Sequence, residues 1–363
     1  MAFKKGILCA CAVIFLMLLS QDCHASIFGG EVELGWPKGE YYVHFGSDPV
    51  NLKNGNLYYP VNDLSIPSVG FPLTVSRSYN SRSRYSGIFG FGWSSSLDVR
   101  AEVYDKTVVI MKADGFRDTF TFLSEEGEIR RFQSVSGRTI EVSKSHLIMF
   151  DSRTGEKRTL DGDGRILEQT DRYGNKQTFT YNPKGHLTQV QGTADRLLNI
   201  QTDDSGKVVQ ITDPIERKIR YKYDSRGNLI EVIDKGGHRS GFAYDDLHNL
   251  TVIEYPNGGK TLLAYDVTRD LIVEETGPED RHTPYRYQIQ PENLEAWSVE
   301  VIDAMENVTR YDYSKNGSHL IITDALGGKV IKEACPECGG SLSAYTDARG
   351  NTTRYEYTNE KGQ

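Results

Sequence analysis

The sequence predicts an all-β protein, in which a small N-terminal β domain is followed by a curved array of about nine β-hairpin repeats. Aromatic residues recur two positions apart, which places both members of a pair on one face of a strand. Each pair is followed by a polar turn of the type that closes hairpins. The unit then recurs at a fixed interval, because Asp213 to Asp234 and Asp303 to Asp324 are both 21 residues apart.

Residues 213–233 show the pattern of one unit. The first strand carries Tyr221 and Tyr223, a polar turn follows, and the return strand carries Leu229 and Val232. A single hairpin is marginal in water, so we expect the rings to face a common interior that the next hairpin covers. The corresponding aromatic positions of the array are Phe179, Tyr181, Tyr221, Tyr223, Phe242, Tyr244, Tyr265, Tyr285, Tyr287, Tyr311, Tyr313, Tyr355 and Tyr357.

The return strands contain an irregularity that predicts curvature. Their apolar residues are spaced by three, as in Leu229 and Val232 or Leu187 and Val190. Both residues of such a pair can face inward only if the strand carries a bulge or a bend. A bend at the same place in every unit would curl the sheet steadily.

Residues 1–25 are typical of a cleaved signal peptide. Lys4 and Lys5 precede an apolar run over residues 7–19, and the small residue Ala25 precedes the expected cleavage point. The apolar run is shorter than the roughly 20 residues that span a bilayer. We therefore expect export to the periplasm, the cell surface or the extracellular space, without a stable membrane span. The net charge of −8 gives no general attraction for nucleic acid, so no nucleic-acid partner is predicted.

Residues 26–125 do not follow the 21-residue period and are predicted to form the N-terminal β domain. Closely spaced glycines between aromatic residues over residues 87–93 suggest tightly packed backbones covered by rings. Because the ends of a repeat array need a cover, we expect this domain to cap the first repeat. Residues 126–363 would then be the repeats. The last unit stops before its return strand, so we expect the array to be incomplete at its C-terminal end.

Cys335 and Cys338 are the only cysteines that remain after removal of the signal peptide. In an exported chain, a local disulfide between them is the favoured interpretation. Free thiols are one alternative. A structural zinc site is the other, although it needs about four ligands and the sequence has no second CxxC.

Two acidic patterns have both a structural and a ligand-binding interpretation. Residues 161–164 resemble part of a calcium loop, but other repeats hold ordinary turns in the same place, so a turn is predicted. The aspartates that open the repeats are expected to cap backbone groups at strand ends, and a row of metal or sugar ligands is the alternative. These opening residues are Asp171, Asp213, Asp234, Asp303, Asp324 and Asp347.

The repeats resemble the RHS/YD-repeat family. The Tyr-Asp pair that gives the family its second name is present at residues 223–224, 244–245 and 265–266. The segment from Asp48 to Asp98 resembles the domain of unknown function that commonly opens such proteins. The resemblance implies a β-ribbon that spirals into a hollow shell, as in bacterial polymorphic toxins and wall-associated proteins. Many bacterial members release a C-terminal toxin by self-cleavage at a DPxGL motif followed by a second DPxG. That motif is absent here, so no catalytic residue is carried over.

These features favour an exported, non-enzymatic scaffold that encapsulates or displays a C-terminal effector. Its partners would be that effector or a second RHS chain that completes the shell. The alternative is a cell-surface adhesin that binds glycans through exposed Tyr and turn residues. An enzyme is the least favoured class, since the sequence contains neither HExxH nor GxSxG. No cofactor and no metal site are predicted.

Overall fold

The computed structural model describes residues 50–134, 137–289, 296–314, 318–335 and 341–356. The predicted signal peptide lies outside these residues. Within them the regular structure is all β apart from two single-turn 3-10 segments, Thr193–Asp195 and Pro278–Asp280. The first six strands are β1 (Val50–Asn51), β2 (Asn56–Ile66), β3 (Leu73–Asn80), β4 (Ser86–Gly87), β5 (Gly90–Phe91) and β6 (Trp93–Ser95).

Twenty-five further strands form one long sheet. They are β7 (Arg100–Val103), β8 (Thr107–Met111), β9 (Arg117–Glu126), β10 (Ile129–Ser134), β11 (Thr139–Val142), β12 (His146–Asp151), β13 (Glu156–Asp161), β14 (Ile166–Thr170), β15 (Lys176–Tyr181), β16 (Leu187–Gln191), β17 (Leu197–Thr202), β18 (Val208–Thr212), β19 (Lys218–Tyr223), β20 (Leu229–Ile233), β21 (Arg239–Tyr244), β22 (Leu250–Glu254), β23 (Lys260–Asp266), β24 (Leu271–Gly277), β25 (Arg281–Ile289), β26 (Ala296–Ile302), β27 (Val308–Tyr313), β28 (His319–Thr323), β29 (Lys329–Cys335), β30 (Ser341–Thr346) and β31 (Thr352–Arg354).

Each strand of the long sheet pairs antiparallel with the next one along the chain, from β7 and β8 to β30 and β31. Among the described residues β31 does not pair with β7, so the sheet is an open ribbon. Its beginning instead curls back on itself, because the Ala101 N–H donates to the Gly164 carbonyl at 2.8 Å. We call this contact the seam. Gly164 has φ +78°, and a Cβ atom there would lie 2.0 Å from the Ala101 oxygen. The predicted all-β architecture is confirmed.

The predicted bulge is present in the return strands. Tyr223 pairs with Leu229 and Lys222 pairs with Glu231, which leaves Ile230 as the extra residue. Leu229 and Val232 are therefore both buried despite their spacing of three. The pairing also shifts immediately before Tyr181, Thr202, Tyr244 and Tyr265 in the first strands of four other hairpins. Since a bulge bends a strand and increases its twist, the recurrence curves the ribbon in one direction.

One turn geometry closes most of the hairpins, and the turn that begins at Asp224 shows it. The Arg226 and Asn228 N–H groups donate to Asp224 Oδ1 at 2.9 and 2.8 Å, and Gly227 adopts φ +82°. The opening aspartates thus cap backbone groups, as predicted. The same two bonds recur in the turns that begin at Asp161, Asp171, Asn182, Asp203, Asp213, Asp234, Asp245, Asp303, Asp324 and Asp347.

A tyrosine at or next to the end of the first strand links four of the described repeats to the one before. Its hydroxyl donates to the carbonyl of the residue 15 positions earlier, at the start of the preceding return strand. The bonds are Tyr181 to Ile166 at 2.9 Å, Tyr223 to Val208 at 2.8 Å, Tyr244 to Leu229 at 3.0 Å and Tyr265 to Leu250 at 3.0 Å. The Tyr of the Tyr-Asp pair therefore joins neighbouring repeats while its ring packs in the core.

The buried side chains form two hydrophobic clusters. The first lies within residues 99–160 and fills the curl formed by β7 to β13. The second combines the repeat aromatics with residues 50–97, which we call the insert. The predicted domain boundary after residue 125 differs from the structure, because β9 ends at Glu126 and pairs directly with β10. The long sheet begins at Arg100, and the insert lies outside it.

We predict that Tyr265→Phe lowers the free energy of unfolding by about 1 kcal/mol. The substitution keeps the ring but removes one inter-repeat hydrogen bond, and such bonds contribute about 0.5–1.5 kcal/mol. Urea denaturation followed by circular dichroism measures the change. Tyr173→Phe is the matched control, because Tyr173 is 83% exposed. Equal stabilities for the two variants would contradict the role given to the Tyr265 hydroxyl.

We predict that the fold loses stability in acid because of its turn aspartates. Burial alone would raise the pKa of Asp224. Hydrogen bonds from the Asn228 side chain and from the turn N–H groups outweigh this effect, so the net pKa is lowered. A lowered pKa in the folded state gives stability that is complete above the unfolded value, about 3.9, and is lost as the pH falls through the folded value. The pKa is also lowered at Asp171, Asp203, Asp213, Asp234, Asp303 and Asp347.

Urea unfolding between pH 7 and pH 2.5 measures this loss. Asp224→Asn is the matched variant, since Asn182 already accepts the same two backbone hydrogen bonds in another repeat. Its unfolding free energy should fall less steeply with acid than that of the parent chain. Identical pH profiles for the two proteins would show that the turn carboxylate is not the titrating group.

Candidate functional site

The repeat aromatics lie together on one face of the ribbon, which we call the inner face. Phe179, Tyr221, Phe242, Tyr285, Tyr311 and Tyr313 are buried there, and Tyr181, Tyr223, Tyr244, Tyr265 and Tyr287 are partly buried against the same cluster. Two of the predicted aromatic positions are not among these inner-face residues. Tyr355 is 42% exposed, because it follows β31 and no described strand covers its ring. Tyr357 lies outside the described residues.

The insert lies along the inner face and crosses several repeats. Its backbone is tied to the ribbon at three separate places. Val208 donates to the Ile88 carbonyl at 2.8 Å, Ile272 to the Gly55 carbonyl at 3.1 Å, and Ala296 to the Lys53 carbonyl at 2.8 Å. The sequence predicts that this segment caps the first repeat, but in the structure it lies along the inner face and contacts several repeats. The insert covers the rings of many repeats because its own aromatic side chains provide the apolar surface that those rings need.

Trp93 and Tyr79 anchor the insert to the middle of the ribbon. The Trp93 indole is fully buried and donates to the Tyr244 hydroxyl at 3.0 Å, and its ring lies edge-on to Phe242 at 5.7 Å. The Tyr79 hydroxyl donates to the His248 carbonyl and accepts from the Leu250 N–H, both at 2.9 Å. Each anchor thus combines a large apolar contact with a hydrogen bond that fixes its position.

The glycine-rich run of the insert brings two backbones into direct contact. Gly90 has φ +92°, and a Cβ atom at this position would lie 2.5 Å from the Gly227 carbonyl oxygen. On either side of it, Phe89 packs edge-on to Tyr221 at 5.0 Å and Phe91 stacks on His248 at 4.2 Å. The predicted arrangement of close backbones covered by rings is present in this run.

A buried ion pair lies in the interface between the insert and the ribbon. Arg77 Nε is 2.8 Å from Asp63 Oδ2 and Arg77 Nη2 is 3.2 Å from Asp63 Oδ1, so the contact is bidentate. The Tyr221 hydroxyl donates to Asp63 Oδ2 at 2.9 Å, and the Arg77 guanidinium lies 4.5 Å from the centre of the Trp93 ring. The ribbon and the insert thus share one charged network.

The Arg77 guanidinium stays charged despite its burial. Burial alone would lower the pKa of Arg77, but the Asp63 carboxylate raises it, and the net pKa is raised. Burial and the same carboxylate raise the pKa of Tyr221, so its hydroxyl remains a donor. The shared contacts of Arg77, Asp63 and Tyr221 join the insert to the ribbon.

This ion pair is not predicted from the sequence, although Arg77 carries part of the signal. Arg77 alternates with Leu73, Val75 and Tyr79 along β3 and therefore shares their buried face. Asp63 gave no such signal, because the pairing of β2 with β3 shifts between Asn62 and Leu64. Asp63 is the extra residue of that bulge, which turns its carboxylate towards the core.

The remaining candidates from the sequence are the acidic turn that begins at Asp161 and the two cysteines, Cys335 and Cys338. Asp161 lies in an ordinary hairpin turn, as predicted, and the described residues contain no group of three or more His, Cys, Asp or Glu side chains that could hold a metal ion. Cys335 is disulfide-bonded. Cys338 lies outside the described residues, so the pairing of these two cysteines stays a prediction. Within the described ranges, no helical segment has the length and hydropathy needed to cross a bilayer.

Two protein families match the chain at the regions just described. Residues 47–120 match a domain of unknown function, DUF6531, which contains the whole insert and the start of the long sheet. Residues 203–239 match the RHS Repeat, which includes the unit from Asp213 to Ile233. The fold and the inner face define a β-repeat scaffold with an N-terminal insert. The chain thus contains one segment that matches DUF6531 and one that matches the RHS Repeat.

The chain is also similar to several larger proteins. It is 26% identical over 151 residues to the tRNA nuclease WapA of Bacillus subtilis (strain 168), which covers 41% of this chain and 6% of WapA. The figures are the same for the tRNA3(Ser)-specific nuclease WapA of Bacillus spizizenii. The chain thus spans about 6% of the length of these curated relatives.

Among solved structures, similarity extends over most of this chain but a small part of each neighbour. A TcdB2-TccC3-Cdc42 structure has a TM-score of 0.36 and 12% identity, and covers 81% of this chain and 22% of its own. The Photorhabdus luminescens Tc holotoxin pore with the TccC3-D651A mutation has a TM-score of 0.29 and 11% identity, and covers 84% of this chain and 20% of its own.

We predict that Arg77→Met lowers the free energy of unfolding by about 3–5 kcal/mol, because it leaves the Asp63 carboxylate buried without its partner. Adding Asp63→Leu should recover much of that loss. A double-mutant cycle measured by urea denaturation gives the coupling energy. The exposed pair of Arg226 and Asp246, at 3.1 Å, is the matched control, with an expected coupling of about 0–1 kcal/mol. A coupling at Arg77 and Asp63 no larger than this control would refute the proposed network.

Proposed function

We propose that the chain is an exported, non-enzymatic scaffold that forms the front part of a shell in an RHS-type toxin or cell-surface protein. In this role it encapsulates or displays an effector that follows it in the polypeptide. The observation that carries the proposal is that the ribbon buries its aromatic residues on one face, the inner face. The bulge recurs at the same place in successive hairpins, and the inner face is covered by an insert from the same chain. Such a ribbon is suited to forming a wall.

The relatives support an association with toxins but do not transfer an activity. WapA is called a tRNA nuclease, and the chain spans only 6% of it. We therefore propose that any such activity belongs to a separate effector segment. The partners proposed for the chain are that effector and a second RHS chain that completes the shell. Export is proposed from the pattern of Lys4, Lys5 and the apolar run that follows them.

The alternative, an adhesin that stacks glycans on the repeat tyrosines, is not favoured by the burial of those rings. Tyr221 is covered by Phe89, and the Tyr223 hydroxyl donates to the Val208 carbonyl. A sugar could reach them only if the insert moved away. The scaffold is therefore the function that we propose.

The test is to express the chain together with the polypeptide that its gene encodes after residue 363, and to digest the product with trypsin. The scaffold proposal expects the following segment to be cut more slowly in this context than when it is expressed alone. Trp93→Ala should restore cleavage, because it removes the anchor that holds the insert on the inner face. Tyr173→Phe, on an exposed turn, should leave the protection unchanged.

Equal cleavage rates for the joined and the isolated segment would overturn the proposal. The export part is tested separately by cell fractionation. Ile14→Arg places a charge in the apolar run and should keep the chain in the cytoplasm. Unchanged fractionation of this variant would contradict export by the N-terminal segment.

A further inference from the structure

The turn that joins β1 to β2 contains an Asn-Gly bond, between Asn54 and Gly55, where the insert meets the ribbon. Asn54 is 7% exposed and Asn56 is fully buried. The Asn54 carbonyl accepts from Arg82 Nη1 at 2.7 Å, which ties the turn to the rest of the insert. The Gly55 carbonyl accepts from the Ile272 N–H at 3.1 Å, which ties it to the ribbon. This Asn-Gly bond is therefore covered by contacts between distant parts of the chain.

The backbone at Gly55 has no room for another atom. Gly55 adopts φ +67°, and a Cβ atom built there would lie 2.4 Å from Leu271 Cδ2. The same Cβ atom would lie 3.1 Å from the Leu271 Cα, so the ribbon backbone closes the space as well as its side chain. A main chain lengthened by one atom at this place would push Gly55 into Leu271 or pull its carbonyl away from the Ile272 N–H.

An Asn-Gly bond is chemically reactive because glycine has no side chain to shield its nitrogen. The backbone nitrogen of Gly55 can attack the Asn54 Cγ, which closes a five-membered succinimide ring and releases ammonia, and the amide proton leaves with the ammonia. One water molecule then opens the ring at either of its two carbonyl carbons. The product is an aspartyl residue or an isoaspartyl linkage, in which the main chain passes through the side-chain methylene group and is one atom longer.

The docked insert, which is the insert packed on the inner face, holds both reacting groups in place. The Gly55 N–H donates to the Asn51 carbonyl at 2.7 Å. Asn54 Oδ1 accepts from the Asn56 N–H at 3.0 Å. Ring closure must break the first bond and rotate the Asn54 side chain out of the second. Because Gly55 is packed against Leu271, the turn cannot change its backbone conformation until the insert leaves the ribbon.

A second Asn-Gly bond provides an internal comparison. Asn257 and Gly258 lie on an exposed turn of the ribbon, and a Cβ atom at Gly258 would meet nothing within 4 Å. The local hydrogen bonds are of the same kind as those in the insert. The Gly258 N–H donates to the Tyr255 carbonyl at 2.9 Å, and Asn257 Oδ1 accepts from the next N–H but one at 3.0 Å. A third Asn-Gly bond, at residues 316–317, lies outside the described residues. The two described sites thus differ in tertiary cover and not in local bonding.

We propose that Asn54 and Gly55 form a deamidation site that reacts only while the insert is undocked, and that its isoaspartyl product blocks later docking. The only co-reactant is water. The insert precedes Leu271 and Ile272 in the chain, so its docking surface is made after it and a new chain passes through the reactive state. Slow folding then converts a fraction of the chains to a form that cannot cover the inner face. This proposal does not rest on the scaffold function.

The test is to incubate the full chain in mildly alkaline buffer, with and without guanidinium chloride, and to follow both sites by peptide mass spectrometry and isoaspartyl methyltransferase labelling. In denaturant Asn54 and Asn257 should react at the same rate, since each is then an unfolded Asn-Gly sequence. In buffer Asn54 should react at least about tenfold more slowly than Asn257, because only the small undocked fraction reacts. Equal rates at the two sites in buffer would overturn the proposal.

Trp93→Ala removes an anchor of the insert and should raise the rate at Asn54 in buffer while leaving the rate at Asn257 unchanged. Tyr173→Ala, which truncates an exposed ring, is the matched control and should change neither rate. If Trp93→Ala does not fold, guanidinium chloride below the unfolding transition of the parent chain takes its place, and the rate at Asn54 should rise with its concentration. An unchanged rate at Asn54 in these experiments contradicts gating by the insert.

Removal of the denaturant tests the effect of the product on docking. Chains with an isoaspartyl linkage at position 54 should stay sensitive to trypsin, because the longer main chain does not fit against Leu271. Chains with the same linkage at position 257 should regain the resistance of the parent chain, since that turn lies in open space. Equal recovery of the two modified forms would overturn the block on docking.

Discussion

The structure depends on the need to cover an aromatic face that no single hairpin can keep dry. The repeats place apolar residues, most of them aromatic, on the same side of a two-stranded unit, and this exposes apolar surface unless another element packs against it. Neighbouring repeats cover part of each face, and the tyrosine hydroxyl bonds, such as Tyr244 to Leu229, fix one repeat against the previous one. The insert covers the rest. The ribbon and the insert therefore stabilise each other, since each buries the other's rings.

The hairpin turns show how a repeat array tolerates sequence variation without changing its geometry. The fourth turn position requires a positive φ, which glycine adopts at low cost, as at Gly227 and Gly350. His248 and Glu306 occupy the same position with φ +68° and +64°. At His248 the strain coincides with stacking on Phe91 and a 2.6 Å hydrogen bond to Asn228. His248, whose ring packs against the insert, thus occupies a position where glycine would adopt the backbone conformation at lower cost.

The buried ion pair gives the interface a requirement that apolar packing alone would not impose. Arg77 and Asp63 both belong to the insert and pair with each other, and the Tyr221 hydroxyl of the ribbon donates to the same carboxylate. A displacement of the insert by one repeat would carry the ion pair with it but would break the hydrogen bond from Tyr221, and a buried polar group left unpaired costs about 1–3 kcal/mol. The Tyr221 hydrogen bond therefore favours one position of the insert along the ribbon.

The sequence by itself determined the strands, the turns and the bulges, because these depend on residues close together in the chain. The alternation of Tyr221 with Tyr223, the spacing of Leu229 and Val232, and the turn at Asp224 each carry a local signal. Only the tertiary structure decided where the insert lies, which partner Arg77 takes, and how Ala101 meets Gly164. Tyr79 and His248 are 169 residues apart, and the local sequence around either residue does not predict its contact with the other. Long-range contacts of this kind follow from the curvature that many bulges add together, so they appear only when the whole ribbon has formed.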